Sequence, residues 1–158
     1  VTGIGKQRAA IGLTEYLSKI EYKPDLAINI GYAGANNIKI GTLVCISNSF
    51  NLEWDIPGEE KYSLKNVGNQ KLIKVEGLEY IPCYSGETFV TKTDIKEKCI
   101  FDMELHSAAL IADIYKIPLI SIKKVTDNLS IDKYYESINT KEIMELENAV
   151  ELIEKYII

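Results

Sequence analysis

Three carboxylates carry the chemistry that this sequence offers. Asp102 and Glu104 stand two residues apart at the start of an apolar, helix-like run, FDMELHSAALI, and Asp127 closes the strand-like run PLISIKKVTD. Carboxyl groups held in different surroundings within one site can divide acid and base work between them. Each also has an ordinary role. Acids at a helix start are stabilised by the macrodipole and its free N–H groups, and an Asp in T-D-N commonly caps a helix or closes an Asx turn. A strand, helix and strand in series bring the starts of successive elements onto one rim, and in an open α/β sheet ligands bind at that rim.

Other motifs are equally open. Gly31-Tyr32-Ala33-Gly34, after the apolar LAINI, reads as a plain turn or as a loop that cradles phosphate. Phe89, after Ser85-Gly86-Glu87, reads as a core residue or as a stacking platform, and His106, one helical turn into a packed segment, reads as structural. No G-x-S-x-G elbow is present, so covalent hydrolase chemistry has no support. Cys45, Cys83 and Cys99 form no C-x-x-C pair and have only His106 as a possible imidazole companion, which points away from zinc and toward a reducing, cytoplasmic compartment. A net charge of −5 with Arg8 as the single arginine excludes a nucleic-acid surface, which needs clustered cations. No apolar run is long enough to span a bilayer.

The elements that must position these residues follow from the periodicities. At 158 residues the chain reads as a single domain. Ala10, Leu13, Leu17 and Ile20 mark a helix over residues 4–20. LAINIG (26–31) reads as a buried strand entering a tight loop at Gly31 to Gly34, and LVCISNSF (43–50) as the next strand. A long loop follows from Asn51 to about Gln70. KLIKVEG (71–77) and EYIPCYSG (79–86) both read as strands, with Pro82 at an edge or strand end. CIFD (99–102) leads into a helix from Met103 to Lys116, and PLISIKKV (118–125) is a strand. A closing helix runs from Thr140, its N-cap, to Tyr156, with Ile143, Leu146, Val150 and Ile153 as the buried stripe.

In order, these motifs resemble the purine nucleoside and uridine phosphorylase superfamily, and within it the methylthioadenosine/S-adenosylhomocysteine nucleosidase and futalosine hydrolase branches. TGIGKQRAA (2–10) is similar to that family's T-G-I-G-K-x-x-A-A, PDLAINIGYAGA (24–35) to its P-D-x-x-I-N-x-G-x-A-G, and IGTLV (40–44) to its I-G-D-x-V. SGETFV (85–90) resembles S-G-D-x-F, DMELHSAALI (102–111) resembles E-M-E-x-x-A, and VTDN (125–128) resembles I-S-D. The resemblance implies an α/β, three-layer, phosphorylase-like fold with a mixed central sheet and helices on both faces. It implies cleavage of the N-glycosidic bond of a purine nucleoside, without a cofactor, with phosphate as a possible co-substrate. Asp127 would donate a proton or strong hydrogen bond to purine N7, and Glu104 would accept from ribose hydroxyls and stabilise the cationic sugar. Met103 would pack beneath the sugar, Phe89 would stack on the base and the Val90 backbone would read its edge. Asp102, Thr126, Tyr32 and Gly31 complete the implied ligand-binding set.

The same resemblance sets expectations through its departures. Family members begin some forty to fifty residues earlier with a strand and hairpin, and in the nucleosidases a water-activating glutamate follows that strand; this chain is expected to lack both. The phosphorylases carry an arginine and a serine for phosphate where this sequence has Asn29 and Tyr32, and Leu105 and His106 stand where small residues are usual. The lost strand is expected to leave a sheet edge unpaired, and a homodimer or higher homo-oligomer would cover it. The alternative to an enzyme is a catalytically disabled, nucleoside-binding or oligomer-forming homologue.

Overall fold

The structure, a computed structural model, describes residues 2–63, 72–139, 149–151 and 153–154. Helix α1 (Lys6–Lys19) is followed by strands β1 (Ala27–Asn36), β2 (Leu43–Asn51), β3 (Glu79–Ser85) and β4 (Cys99–Asp102). Helix α2 (Leu105–Ile114), strand β5 (Leu119–Asp127) and helix α3 (Ile131–Asn139) complete the sequence of elements. The sheet is mixed. β1 runs parallel to β5 and antiparallel to β4, β3 runs parallel to both β2 and β4, and β2 runs antiparallel to β5.

Strand order β1-β4-β3-β2-β5 closes on itself. The expected unpaired sheet edge is therefore not found among the described strands, because β1 and β5 pair along most of their lengths, from Ala27 opposite Leu119 to Gly34 opposite Asp127. The described residues cover both faces. On one face Ala33, Val44, Ile46, Ile100, Leu119 and Val125 pack with Leu105, Ala109 and Ala112 of α2. On the other, Cys45, Ile120 and Ile122 pack with Ala149 and Ile153. Residues alternate between the two clusters along β2 and β5, as a period of two requires, and full burial of an Ile or Val contributes roughly 1.5–3 kcal/mol. Helix α1 lies behind α2 and buries Ala9 and Leu17. No helix among the described residues is long and apolar enough to cross a membrane.

Four readings of the sequence need correction. Gly31 to Gly34 is not a loop; β1 runs through it, because β5 pairs with it along its length, with a register shift at Ala33/Gly34, and β4 joins from Gly34 onward. Residues 72–75 are not a strand. They form an extended segment tied by isolated bonds, Ile73 N–H to Leu119 O, Leu72 N–H to Ser47 O and Val75 N–H to Cys45 Sγ, with Leu72 and Val75 buried. Pro82 lies on a strand with neighbours on both sides. It falls where the β2–β3 register shifts, and its missing N–H does no harm there. Val150 is exposed and Ala149 turns to the core in its place, while Ile153 is buried as expected. Thr140, Ile143 and Leu146 lie outside the described residues. Helix α3 was not anticipated. It begins after Ser130, whose hydroxyl accepts from Lys133 N–H and whose carbonyl accepts from Tyr134 N–H.

Candidate active site

The registers bring the relevant strand ends to one rim. Gly34 of β1 lies opposite both Phe101 of β4 and Asp127 of β5, while Ser85 of β3 lies opposite Asp102. Asp102, Met103 and Glu104 lead from β4 into α2, and Asp127 leads from β5 into α3. The two parts of the sequence that hold carboxylates thus meet.

Asp102 is fully buried and both its oxygens are committed. Its Oδ1 accepts from Ser85 Oγ at 2.5 Å, and its Oδ2 accepts from Leu105 N–H at 3.0 Å and pairs with Lys123 Nζ at 2.7 Å. Burial alone would raise the carboxyl pKa, but Lys123, the Ser85 hydroxyl and the Leu105 amide outweigh it and hold the pKa below its ordinary value. Burial pushes Lys123 the other way, and Asp102 more than restores it. Ser85 Oγ also accepts from His106 N–H at 2.9 Å. The first turn of α2 is therefore fastened to β3 and β5 through one carboxylate. Gly31, placed in the ligand-binding set from the sequence, stands beside this pair, since a Cβ there would lie 3.4 Å from Lys123 Nζ.

Glu104 is the N-cap residue of α2 and is half-buried. Its Oε1 accepts from Gly5 N–H at 2.9 Å. Gly5 has φ 95°, in the region that favours glycine, and a Cβ on it would meet Glu87 Oε2 at 2.8 Å. The entry to α1 thus holds Glu104 in place. Behind that entry the Lys6 ammonium is bonded to Asn51 Oδ1 and Glu53 Oε2.

Asp127 has no exposed surface. Ser130 N–H donates to its Oδ1 at 3.1 Å, and the Thr126 hydroxyl lies 3.0 Å from its Oδ2 and 3.3 Å from Ala33 O. Gly34 makes room for it: a Cβ there would stand 2.9 Å from Asp127 Oδ1. That contact explains the glycine better than any turn does. Thr126, buried beside Asp127, supports the carboxylate from the strand side.

Between these acids lies an apolar wall. Phe89, Val90, Met103, Gly34, Thr88, Phe101 and Asp102 enclose a cavity of about 30 Å³. Phe89 meets Tyr134 edge-on at a centroid distance of 5.6 Å. Tyr134 comes from α3 and was missed by the sequence reading. Burial raises its pKa, and Tyr135, Glu104, Asp127 and Tyr32 raise it further, so its ring stands within electrostatic reach of both acids and of Tyr32. The Tyr32 hydroxyl is buried and has no hydrogen-bonding partner among the described residues. His106 is buried, with Nδ1 3.4 Å from Ser49 Oγ; burial lowers its pKa, which keeps it neutral. Asn29 accepts from Ser121 Oγ at 2.9 Å on the β1–β5 ladder. Among the described residues no group of three or more His, Cys, Asp or Glu could hold a metal ion.

This is a mixed α/β fold with a central mixed sheet, the fold of solved nucleosidases. No protein-family model matches the chain. It is 26% identical to the 5′-methylthioadenosine/S-adenosylhomocysteine nucleosidase of Desulfotalea psychrophila, across 97% of this chain and 77% of that protein. It is 27% identical to the nucleosidase of that name from Maridesulfovibrio salexigens, across 82% and 67%. The Neisseria meningitidis nucleosidase in complex with methylthio-immucillin-A superposes with a TM-score of 0.81 at 19% identity, over 98% of this chain and 79% of that one. The Borrelia burgdorferi protein assigned as such a nucleosidase, bound to adenine, gives 0.80 at 24% identity, over 98% and 78%. A Helicobacter pylori futalosine hydrolase mutant gives 0.76 at 14% identity, over 97% and 76%. The homologues and structural neighbours are thus nucleosidases and a futalosine hydrolase, which belong to the purine nucleoside phosphorylase-like superfamily.

Replacing Lys123 with Met strands a buried carboxylate, and we expect a loss of about 3–5 kcal/mol in urea unfolding, much of it recovered in the Lys123→Met/Asp102→Asn double variant. Because Asp102 has a folded pKa below its unfolded value, its contribution is present above roughly pH 4 and is lost as pH falls through the folded value. The double variant is expected to have a shallower acid limb than wild type. Equal stability of Lys123→Met and wild type would contradict this.

Proposed function

We propose that this chain cleaves the N-glycosidic bond of a purine nucleoside. The observation that carries the reading is the rim itself. Two carboxylates on separate elements, each fixed by a backbone N–H, flank an aromatic wall formed by Phe89 and Tyr134. In this reading Phe89 stacks on the purine and the Val90 backbone reads its edge. Asp127 gives a proton or a strong hydrogen bond to N7, so that N9 can leave with the bonding electron pair. Glu104 accepts from the ribose hydroxyls through Oε2 and stabilises the cationic sugar as the bond breaks, while Met103 packs beneath it. Asp102 and Thr126 act behind these residues, holding Glu104 and Asp127.

Water is the better acceptor for the sugar. Lys6 and Lys123 are both committed to carboxylates, and Asn29 is committed to Ser121, so none of them is available to a phosphate. The names of the relatives favour methylthioadenosine and S-adenosylhomocysteine as substrates. Free, buried cysteines support a reducing, cytoplasmic setting. Exposed Ile4, Ile11, Tyr16 and Tyr22 on and around α1 support self-association in place of the sheet-edge argument; light scattering on the purified chain is expected to give at least a dimer, and a monomer mass would contradict that part.

Purified protein is expected to release base from methylthioadenosine without phosphate. Asp127→Asn should lower kcat by about 10²–10⁴-fold, and Glu104→Gln should also lower turnover. Unchanged turnover in Asp127→Asn would refute the assignment. Adenine binding without release by wild type would make the protein a nucleoside-binding homologue.

A further inference from the structure

The Tyr32 hydroxyl is a buried polar group with no partner among the described residues. Such groups cost stability, so a phenylalanine of the same shape would serve the fold at least as well. The β1–β5 register shifts between Ala33 and Gly34, yet Ala33 and Ala35 both face the same core cluster, so Tyr32 and Gly34 share the opposite face of β1, the one against which Asp127 packs. The surroundings of Tyr32 restrict what could pair with it. Tyr134 stands within electrostatic reach of Tyr32, Glu104 and Asp127 alike, and two carboxylates disfavour an anion. What fits is a neutral group able to donate to one neighbour and accept from another. A hydroxyl does both. Glu104 has the matching need: Oε1 is taken by Gly5 N–H, and Oε2 accepts no hydrogen bond within the described residues, leaving it open to a donor.

We propose that Tyr32 Oη, together with Glu104 Oε2, recognises the sugar hydroxyls of the nucleoside, so that Tyr32 is a specificity-determining residue for ribosides over deoxyribosides. One hydroxyl of a vicinal diol donates to Glu104 while its neighbour exchanges a hydrogen bond with Tyr32. A site built to bond a substrate hydroxyl rejects analogues lacking it, because its own buried groups are then left unpaired. This rests on the proposed nucleoside cleavage and adds the residue that reads the sugar.

The test compares wild type with Tyr32→Phe in two measurements. The first is the melting temperature of the protein without ligand. The second is calorimetric affinity for adenine, for the uncleavable C-nucleoside 9-deazaadenosine, and for its 2′- and 3′-deoxy forms. Tyr32→Phe is expected to melt no lower than wild type, to bind adenine equally well, and to bind 9-deazaadenosine about 10–100-fold more weakly. At least one deoxy form should bind both proteins alike. Equal affinity of both proteins for 9-deazaadenosine would overturn the proposal, as would an equal loss for adenine, which would put Tyr32 against the base. A lower melting temperature would assign the hydroxyl to the fold. Failure of wild type to bind either adenine or the nucleoside would instead refute the nucleoside reading as a whole, and is distinguished because the defect is already present before substitution.

Discussion

The buried ion pair between Lys123 and Asp102 is the interaction on which the rest of the site depends. Lys123 enters from the middle of β5, a strand buried along its whole length, and Asp102 closes β4. Two charges cannot be taken out of water unless each is satisfied. Here the ammonium, the Ser85 hydroxyl and the Leu105 amide all converge on one carboxylate. That convergence fixes the end of β3, the end of β4 and the first turn of α2 relative to β5. Glu104 inherits its position from these bonds, and Gly5 adds the last one.

A second constraint is steric. Asp127 occupies the space that a side chain at residue 34 would need, so glycine there is a condition for a buried carboxylate at the strand end. The two acids are thereby treated differently. Asp127 is enclosed, supported by Thr126 and Ser130, and sits beside the aromatic wall. Glu104 is half-buried with one oxygen engaged. The roles proposed for them, protonating a leaving base and stabilising a cationic sugar, call for such unlike surroundings.

The sequence carried much of this and obscured the rest for identifiable reasons. Helix α1 and strands β2, β3, β4 and β5 were legible because their apolar periods are regular and their ends are marked by Gly, Pro or acidic residues. The Gly31 to Gly34 segment was misread because a glycine pair after an apolar run signals a turn locally, whereas its purpose here is a contact with Asp127 some ninety residues away. Residues 72–75 have a strand's composition, but no neighbouring backbone offers them a ladder. Asp102 and Glu104 were found through their spacing, but their division into anchor and site residue depends on Lys123. Two consecutive lysines in a strand that is buried along its whole length were a signal of buried partners. Tyr134 could not be placed without α3, whose signal, Ile131, Tyr134, Tyr135 and Ile138 at helical spacing after Ser130, was passed over because the segment is short and otherwise polar.

The account's central claim is that one rim binds a whole nucleoside, base toward Asp127 and sugar toward Glu104. A crystal structure of the chain with adenine and a ribose analogue tests it most directly. The expected result is a purine against Phe89 with N7 within hydrogen-bonding distance of an Asp127 oxygen, the Phe89–Tyr134 contact opened to admit it, and sugar hydroxyls on Glu104. A base bound away from Phe89, for instance in the cavity of about 260 Å³ lined by Leu13, Tyr16, Leu17 and Ile117, with Asp127 untouched, would contradict it.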